Sequence, residues 1–154
     1  MTVSADSYFV IGSQRLLLEA YYDASHLWVL PDGRRGARCG FDPLGAETAG
    51  DIVAVSFEPV GTTVARGGEF GSLEAAKFVG PLISPVSGKI TAHNEEVIAQ
   101  PTLLHDDPAT HWLFEIELTN AAAELPVLRR GEADVRAWFE SETARFKEQG
   151  MIAE

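Results

Sequence analysis

Turn-forming residues cut this chain into pieces too short for long helices or long strands. Pro31-Asp32-Gly33, Gly67-Gly68, Gly80-Pro81, Ser87-Gly88, Asn94-Glu95 and Asp106-Asp107-Pro108 interrupt the apolar runs between residues 21 and 118. Proline fixes φ and removes a donor, and glycine admits left-handed backbone, so such clusters end one element and start the next. What lies between them is β-prone. The cleanest case is Trp112-Leu113-Phe114-Glu115-Ile116-Glu117-Leu118, which alternates with period two. It predicts a strand with Trp112, Phe114, Ile116 and Leu118 inward and Glu115 and Glu117 outward. Residues 51–57 predict a second strand with Val53, Val55 and Phe57 on one face. Residues 21–30 and 34–41 predict a hairpin about the Pro31-Asp32-Gly33 turn.

Helical patterns are few. Asp42 before Pro43 reads as a cap and a first helical position, with Gly50 as the stop, which leaves room for about two turns. Ser13 is placed to cap a short helix over residues 14–20. Residues 134–149 carry Val135, Trp138, Phe139 and Phe146 at three-, four- and seven-residue spacings, one apolar stripe that packs on a core. Residues 1–7 are small and polar and are expected to fray. Periodicity thus predicts a mainly β chain with helical additions at its C-terminal end.

The balance of 12 basic against 23 acidic residues gives a net charge of -11. Binding to nucleic acid or to an anionic membrane needs a basic face, so both partners are excluded. A single cysteine, Cys39, rules out an internal disulfide and reads as a small buried apolar group. No apolar run approaches a membrane span and no basic-then-apolar leader opens the sequence, so a cytoplasmic setting is expected. His26, His93, His105 and His111 lack metal-ligand spacing, and no metal is expected. No nucleophile elbow, phosphate loop or carboxylate pair appears, and the chain is not expected to be an enzyme.

One residue stands out chemically. Lys77 is the only lysine among the first 88 residues, and it sits in a short turn between two strand-like runs. An exposed primary amine at a turn is accessible to another enzyme and nucleophilic toward an activated acid. Leu73-Glu74-Ala75-Ala76-Lys77, followed seven residues after the lysine by Ser84-Pro85-Val86-Ser87-Gly88, resembles the lipoyl-attachment signature of the glycine cleavage system H-protein family. Gly50-Asp51-Ile52-Val53, Val60-Gly61, Asn94-Glu95, Asp107-Pro108 and Trp112-Leu113 match further family blocks in the same order.

The resemblance implies a barrel-sandwich hybrid of the lipoyl/biotinyl carrier type over residues 1–154, with a C-terminal helix (residues 132–150) packed on the sandwich. It implies lipoate joined to Lys77 as an amide, and Glu74 as a recognition residue for a lipoyl ligase or lipoyl transferase. The chain departs from the family pattern at Ala75, at Leu27 within His26-Leu27-Trp28, and at Phe78-Val79-Gly80-Pro81. Of these, Phe78-Val79-Gly80-Pro81 looks like the H-protein-like lipoate-binding proteins of the sulfur-oxidising heterodisulfide-reductase-like pathway. The expectation therefore leans to an arm that carries sulfur to a heterodisulfide-reductase-like complex. The alternative is a carrier of the aminomethyl group, serving glycine decarboxylase, aminomethyltransferase and dihydrolipoamide dehydrogenase. An unmodified scaffold is a remote third reading.

Overall fold

The computed structural model describes residues 7–152. In chain order it comprises β1 (Tyr8–Ile11), β2 (Gln14–Leu17), β3 (Tyr21–Tyr22), β4 (Leu27–Pro31), β5 (Gly36–Phe41), α1 (Pro43–Ala49), β6 (Ile52–Phe57), β7 (Thr63–Val64), β8 (Glu69–Ala75), β9 (Val79–Ile83), β10 (Gly88–His93), α2 (Glu95–Ala99), α3 (Leu103–Asp106), β11 (Phe114–Leu118), α4 (Ala121–Glu124), a single 3-10 turn at Leu125–Val127, and α5 (Glu132–Glu148). Six strands form one antiparallel sheet in the order β3-β4-β5-β11-β10-β7, and β6-β8-β9 form a second. The two inner faces meet as a barrel-sandwich hybrid with helical additions. Phe70 of β8 and Phe114 of β11, both fully buried, bring their rings to 4.3 Å across the gap. Val29, Leu73, Leu82, Ile90 and Ile116 fill the same core.

A second apolar cluster lies on the outer side of the larger sheet. There Val135, Phe139 and Phe146 of α5 meet Tyr22, Trp28 and Leu30, together with Phe9, Leu16 and Leu17 of the β1–β2 hairpin. Strand β4 is therefore covered on both faces, which accounts for its unbroken Leu27-Trp28-Val29-Leu30 run. The α5 stripe does the packing its spacing predicts.

Five readings of the sequence need correction. Residues 14–20 do not form a helix: β2 pairs with β1 in register Phe9↔Leu16 and Val10↔Arg15. Gly12, at φ 62°, supplies the tight turn, and a partner just upstream outweighs the local helical signal. Ser7 already belongs to this hairpin, its carbonyl accepting from the Leu18 amide at 2.9 Å, while the expected fraying of residues 1–6 lies outside the described residues. In β6 the register against β8 shifts between Ile52 and Ala54, a bulge that turns Val53 outward while Val55 stays buried. The Asn94-Glu95 turn is instead the start of α2, where the Asn94 side chain caps the Glu96 amide at 3.2 Å. Finally, β11 begins at Phe114 rather than Trp112, and Leu113 is fully buried ahead of it.

Candidate functional site

The antiparallel pair β8–β9 ends in a three-residue turn, Ala76-Lys77-Phe78. Glu74 faces Val79 across it, and the Ala75 amide closes the turn on the Phe78 carbonyl at 2.8 Å. The turn is also docked on the link between α1 and β6. The Ala76 amide donates to Asp51 O and the Lys77 amide to Ala49 O, each at 2.9 Å. With these donors committed, the apex is a fixed platform rather than a loose loop.

Gly50 shows why this link is built as it is. Its φ of 76° favours glycine, and a Cβ there would sit 3.0 Å from Lys77 Cε and 3.1 Å from Lys77 Cγ. The lysine stem thus lies across the Gly50 backbone. Asp42 caps α1 by accepting from the Gly45 amide at 2.9 Å, so the cap–proline–glycine pattern of the sequence places the seat for the lysine. Lys77 is exposed. Its Nζ donates to the Met151 carbonyl at 3.2 Å and pairs with no carboxylate among the described residues. Glu74 is exposed on the outer face of the small sheet, while its neighbours Leu73 and Ala75 point into the core.

Beside the lysine runs a groove of about 350 Å³. Its walls are mostly apolar: Leu27, Phe41, Leu82, Phe78, Phe146 and Met151 contribute, and no carboxylate lines it among the described residues. Among its lining residues is His26, whose hydrogen-bonded pairing sequence reasoning missed. His26 is buried at φ 66°, with Nδ1 2.8 Å from Asp42 Oδ2 and Nε2 2.9 Å from Glu142 Oε1. Its ring stacks on Trp138 at 4.9 Å and meets the edge of Phe146 at 5.2 Å. Left-handed backbone is costly for a residue other than glycine, and here it is held by the Asp23, Asp42 and Glu142 hydrogen bonds around it. His26 lies just ahead of β4, Asp42 is the N-cap of α1 and Glu142 lies in α5, so this pairing ties the C-terminal helix to the groove.

Burial works against a charged His26, but the hydrogen bond and charge of Asp42, and then those of Glu142, outweigh it and raise the imidazole above its ordinary range. Arg145 hydrogen-bonds both Glu142 oxygens at 2.8 Å; with that bond first, and with the His26 hydrogen bond adding to it against the opposing effect of burial, Glu142 is pulled down to about 2. The signs define a pH window. The raised His26 contributes stability that is complete below the ordinary histidine pKa of about 6.5 and is lost as pH rises through the folded value. The lowered Glu142 contributes stability that is complete above its ordinary value and is lost as pH falls toward about 2. Urea unfolding followed from acid to alkaline pH is thus expected to show greatest stability between about 5 and 6.5. His26→Gln should flatten the alkaline limb, and an unchanged limb would assign it to other groups.

The remaining candidates stay structural. Cys39 is fully buried in β5, and burial pushes its thiol far up, away from reactivity. His93 meets the Glu58 carbonyl at 2.7 Å. No group of three metal-ligating side chains occurs among the described residues, and no helix there is long and apolar enough to cross a membrane.

Comparison with known proteins gives a consistent result. The family model for "Glycine cleavage H-protein" matches residues 20–138, a span that includes the lysine turn and most of the groove. The chain is 39% identical over 99 residues to the glycine cleavage system H protein of Koribacter versatilis, which covers 64% of this chain and 75% of that one. It is 40% identical over 101 residues to the H protein of Acidobacterium capsulatum, covering 66% and 78%. The crystal structure of the H protein from Mycobacterium marinum superposes with a TM-score of 0.66 at 28% identity, covering 82% of this chain and 99% of that one.

Proposed function

Because the chain belongs to the glycine cleavage H-protein family, we propose that Lys77 is its lipoyl-bearing residue and that it serves as the H protein of a glycine cleavage system. Members of this family are carriers, not enzymes, and hold lipoate covalently on a lysine. Bound lipoate supplies a dithiolane on a long tether, on which the aminomethyl group left by glycine decarboxylation travels. The protein's own residues do the rest. The observation that supports Lys77 most is its amine at the apex of a turn whose backbone is fixed at Ala49 and Asp51. Acylation there forms an N–C amide bond and expels the leaving group of the activated acid with its electron pair, while Nζ gives up two protons, one from the ammonium to free the attacking pair and one from the acylated nitrogen. The side-chain charge disappears with it.

The residues fit the group. Lys77 reaches solvent, and the groove beside it offers apolar walls to an aliphatic tether. Glycine decarboxylase, aminomethyltransferase and dihydrolipoamide dehydrogenase are the partners this reading implies, each visiting the arm in turn. Glu74, exposed on the outer face beside the turn, is proposed as a contact for a basic patch on the lipoylating enzyme. Glu74→Ala should slow lipoylation about threefold to tenfold, as expected for one rim charge. Equal rates for the two forms would remove the residue from recognition.

The comparisons support this aminomethyl reading rather than the sulfur-carrying one toward which Phe78-Val79-Gly80-Pro81 and Leu27 lean. One observation keeps the second reading in play. The groove wall lacks a carboxylate among the described residues, which suits an uncharged cargo better than a cationic amine. Lipoylated protein offered labelled glycine and glycine decarboxylase separates the two: carrier-dependent release of labelled carbon dioxide supports glycine cleavage. Turnover only with a sulfur donor would reverse the assignment.

A further inference from the structure

The last turn of α5 is shaped to bring the chain back over the lysine. Gly150, at φ 73°, reverses its direction. The Gly150 amide donates to Lys147 O at 3.1 Å and the Met151 amide to Phe146 O at 2.8 Å, the paired bonds that close a helix C-terminus with left-handed glycine. Ile152 is then buried in the second apolar cluster, which anchors the segment. Between these two fixed points the Met151 carbonyl meets Lys77 Nζ at 3.2 Å, and the Met151 side chain lines the groove. The lysine is held at both ends, its stem on Gly50 and its tip under the tail. An exposed side chain with four rotatable bonds is otherwise free to sample solvent.

We propose that residues 150–152 form a clasp on the unmodified lysine, one that must open for Nζ to be acylated and that is weakened once it has been. An ammonium offers three protons and a full charge to the Met151 carbonyl, whereas the amide nitrogen offers one proton and no charge. Acylation therefore removes part of the clasp's differential contact energy, and the population shifts toward the open tail. The same step loosens the groove wall to which Met151 contributes. This inference rests on Lys77 being the acceptor, but its core, restraint of that amine, is testable without any lipoylating enzyme.

The test uses the full chain, a form ending at Gln149, and Met151→Pro, which removes the amide donor of the helix stop while keeping Ile152. Each is treated with a limiting amount of an N-hydroxysuccinimide ester of acetate, and labelling is read by peptide mass spectrometry. Lys89, exposed on β10, is the internal standard. Labelling of Lys77 relative to Lys89 is expected to rise about threefold to tenfold in both altered forms, the scale of one ordinary hydrogen bond in water. Equal ratios in all three overturn the clasp. If loss of Ile152 unfolds the shortened form, seen as loss of near-ultraviolet dichroism, Met151→Pro alone decides. A parallel reaction with lipoyl ligase separates the two levels: no lipoylation of any form counts against Lys77 as acceptor, whatever the chemical labelling says of the clasp.

Discussion

Lys77→Arg is expected to reduce carrier-dependent glycine decarboxylation to the level measured without any carrier. Arginine keeps the charge and much of the stem, but its guanidinium stays protonated at working pH and does not take an acyl group. The bonds that build the turn come from the Ala75, Ala76 and Lys77 amides, which the substitution leaves intact. Thermal stability should therefore change by less than about 0.5 kcal/mol, the usual scale for exposed positions. Residual turnover well above the carrier-free level would mean that another group bears the arm.

Asp42→Ala is expected to cause the largest loss of stability, because one buried carboxylate does two things. Oδ1 caps α1 through the Gly45 amide at 2.9 Å, and Oδ2 holds His26 Nδ1 at 2.8 Å. Removing one member of a buried charged pair costs about 3–5 kcal/mol, and loss of an N-cap costs about 1 kcal/mol. Because α1 ends at the Gly50 seat and His26 ties α5 to the groove, damage should spread to the site as well. Asp42→Asn separates the two contributions, since its carbonyl can still cap. In urea titrations Asn should recover about the capping share and lose most of the alkaline decline in stability. If alanine and asparagine proved equally mild, the His26–Asp42 pair would contribute little.

What the sequence made legible was local. The strand ending at Leu118, the Asp42-Pro43 helix start, the Gly50 stop and the α5 stripe are each encoded within one element, and the structure has them all. The lysine turn was legible because the residues that form and flank it are contiguous, running from Leu73 to Gly88. What escaped depends on partners far along the chain. The outward turn of Val53 is set by how β6 registers on β8. Residues 14–17 are a strand because residues 8–11 pair with them. His26 looked like one of four scattered histidines; its partners lie 16 and 116 residues away, so no spacing rule collects them. Gly150 was visible as a residue, but where its turn lands depends on the packing of α5. The physical reason for the Gly50-Asp51 block likewise emerges only in three dimensions, as the bed for the lysine stem and the acceptors for the turn.

If Lys77 is the acceptor, acyl transfer is directed to one amine by the rigid turn that presents it. Co-expression with a lipoyl ligase, proteolysis and peptide mass spectrometry tests it most directly. A single added lipoyl group is expected on the peptide containing Lys77, with Lys89 and Lys147 unmodified. A lipoyl group on either of those lysines, or none with an enzyme that modifies a known H protein in the same cells, would contradict it.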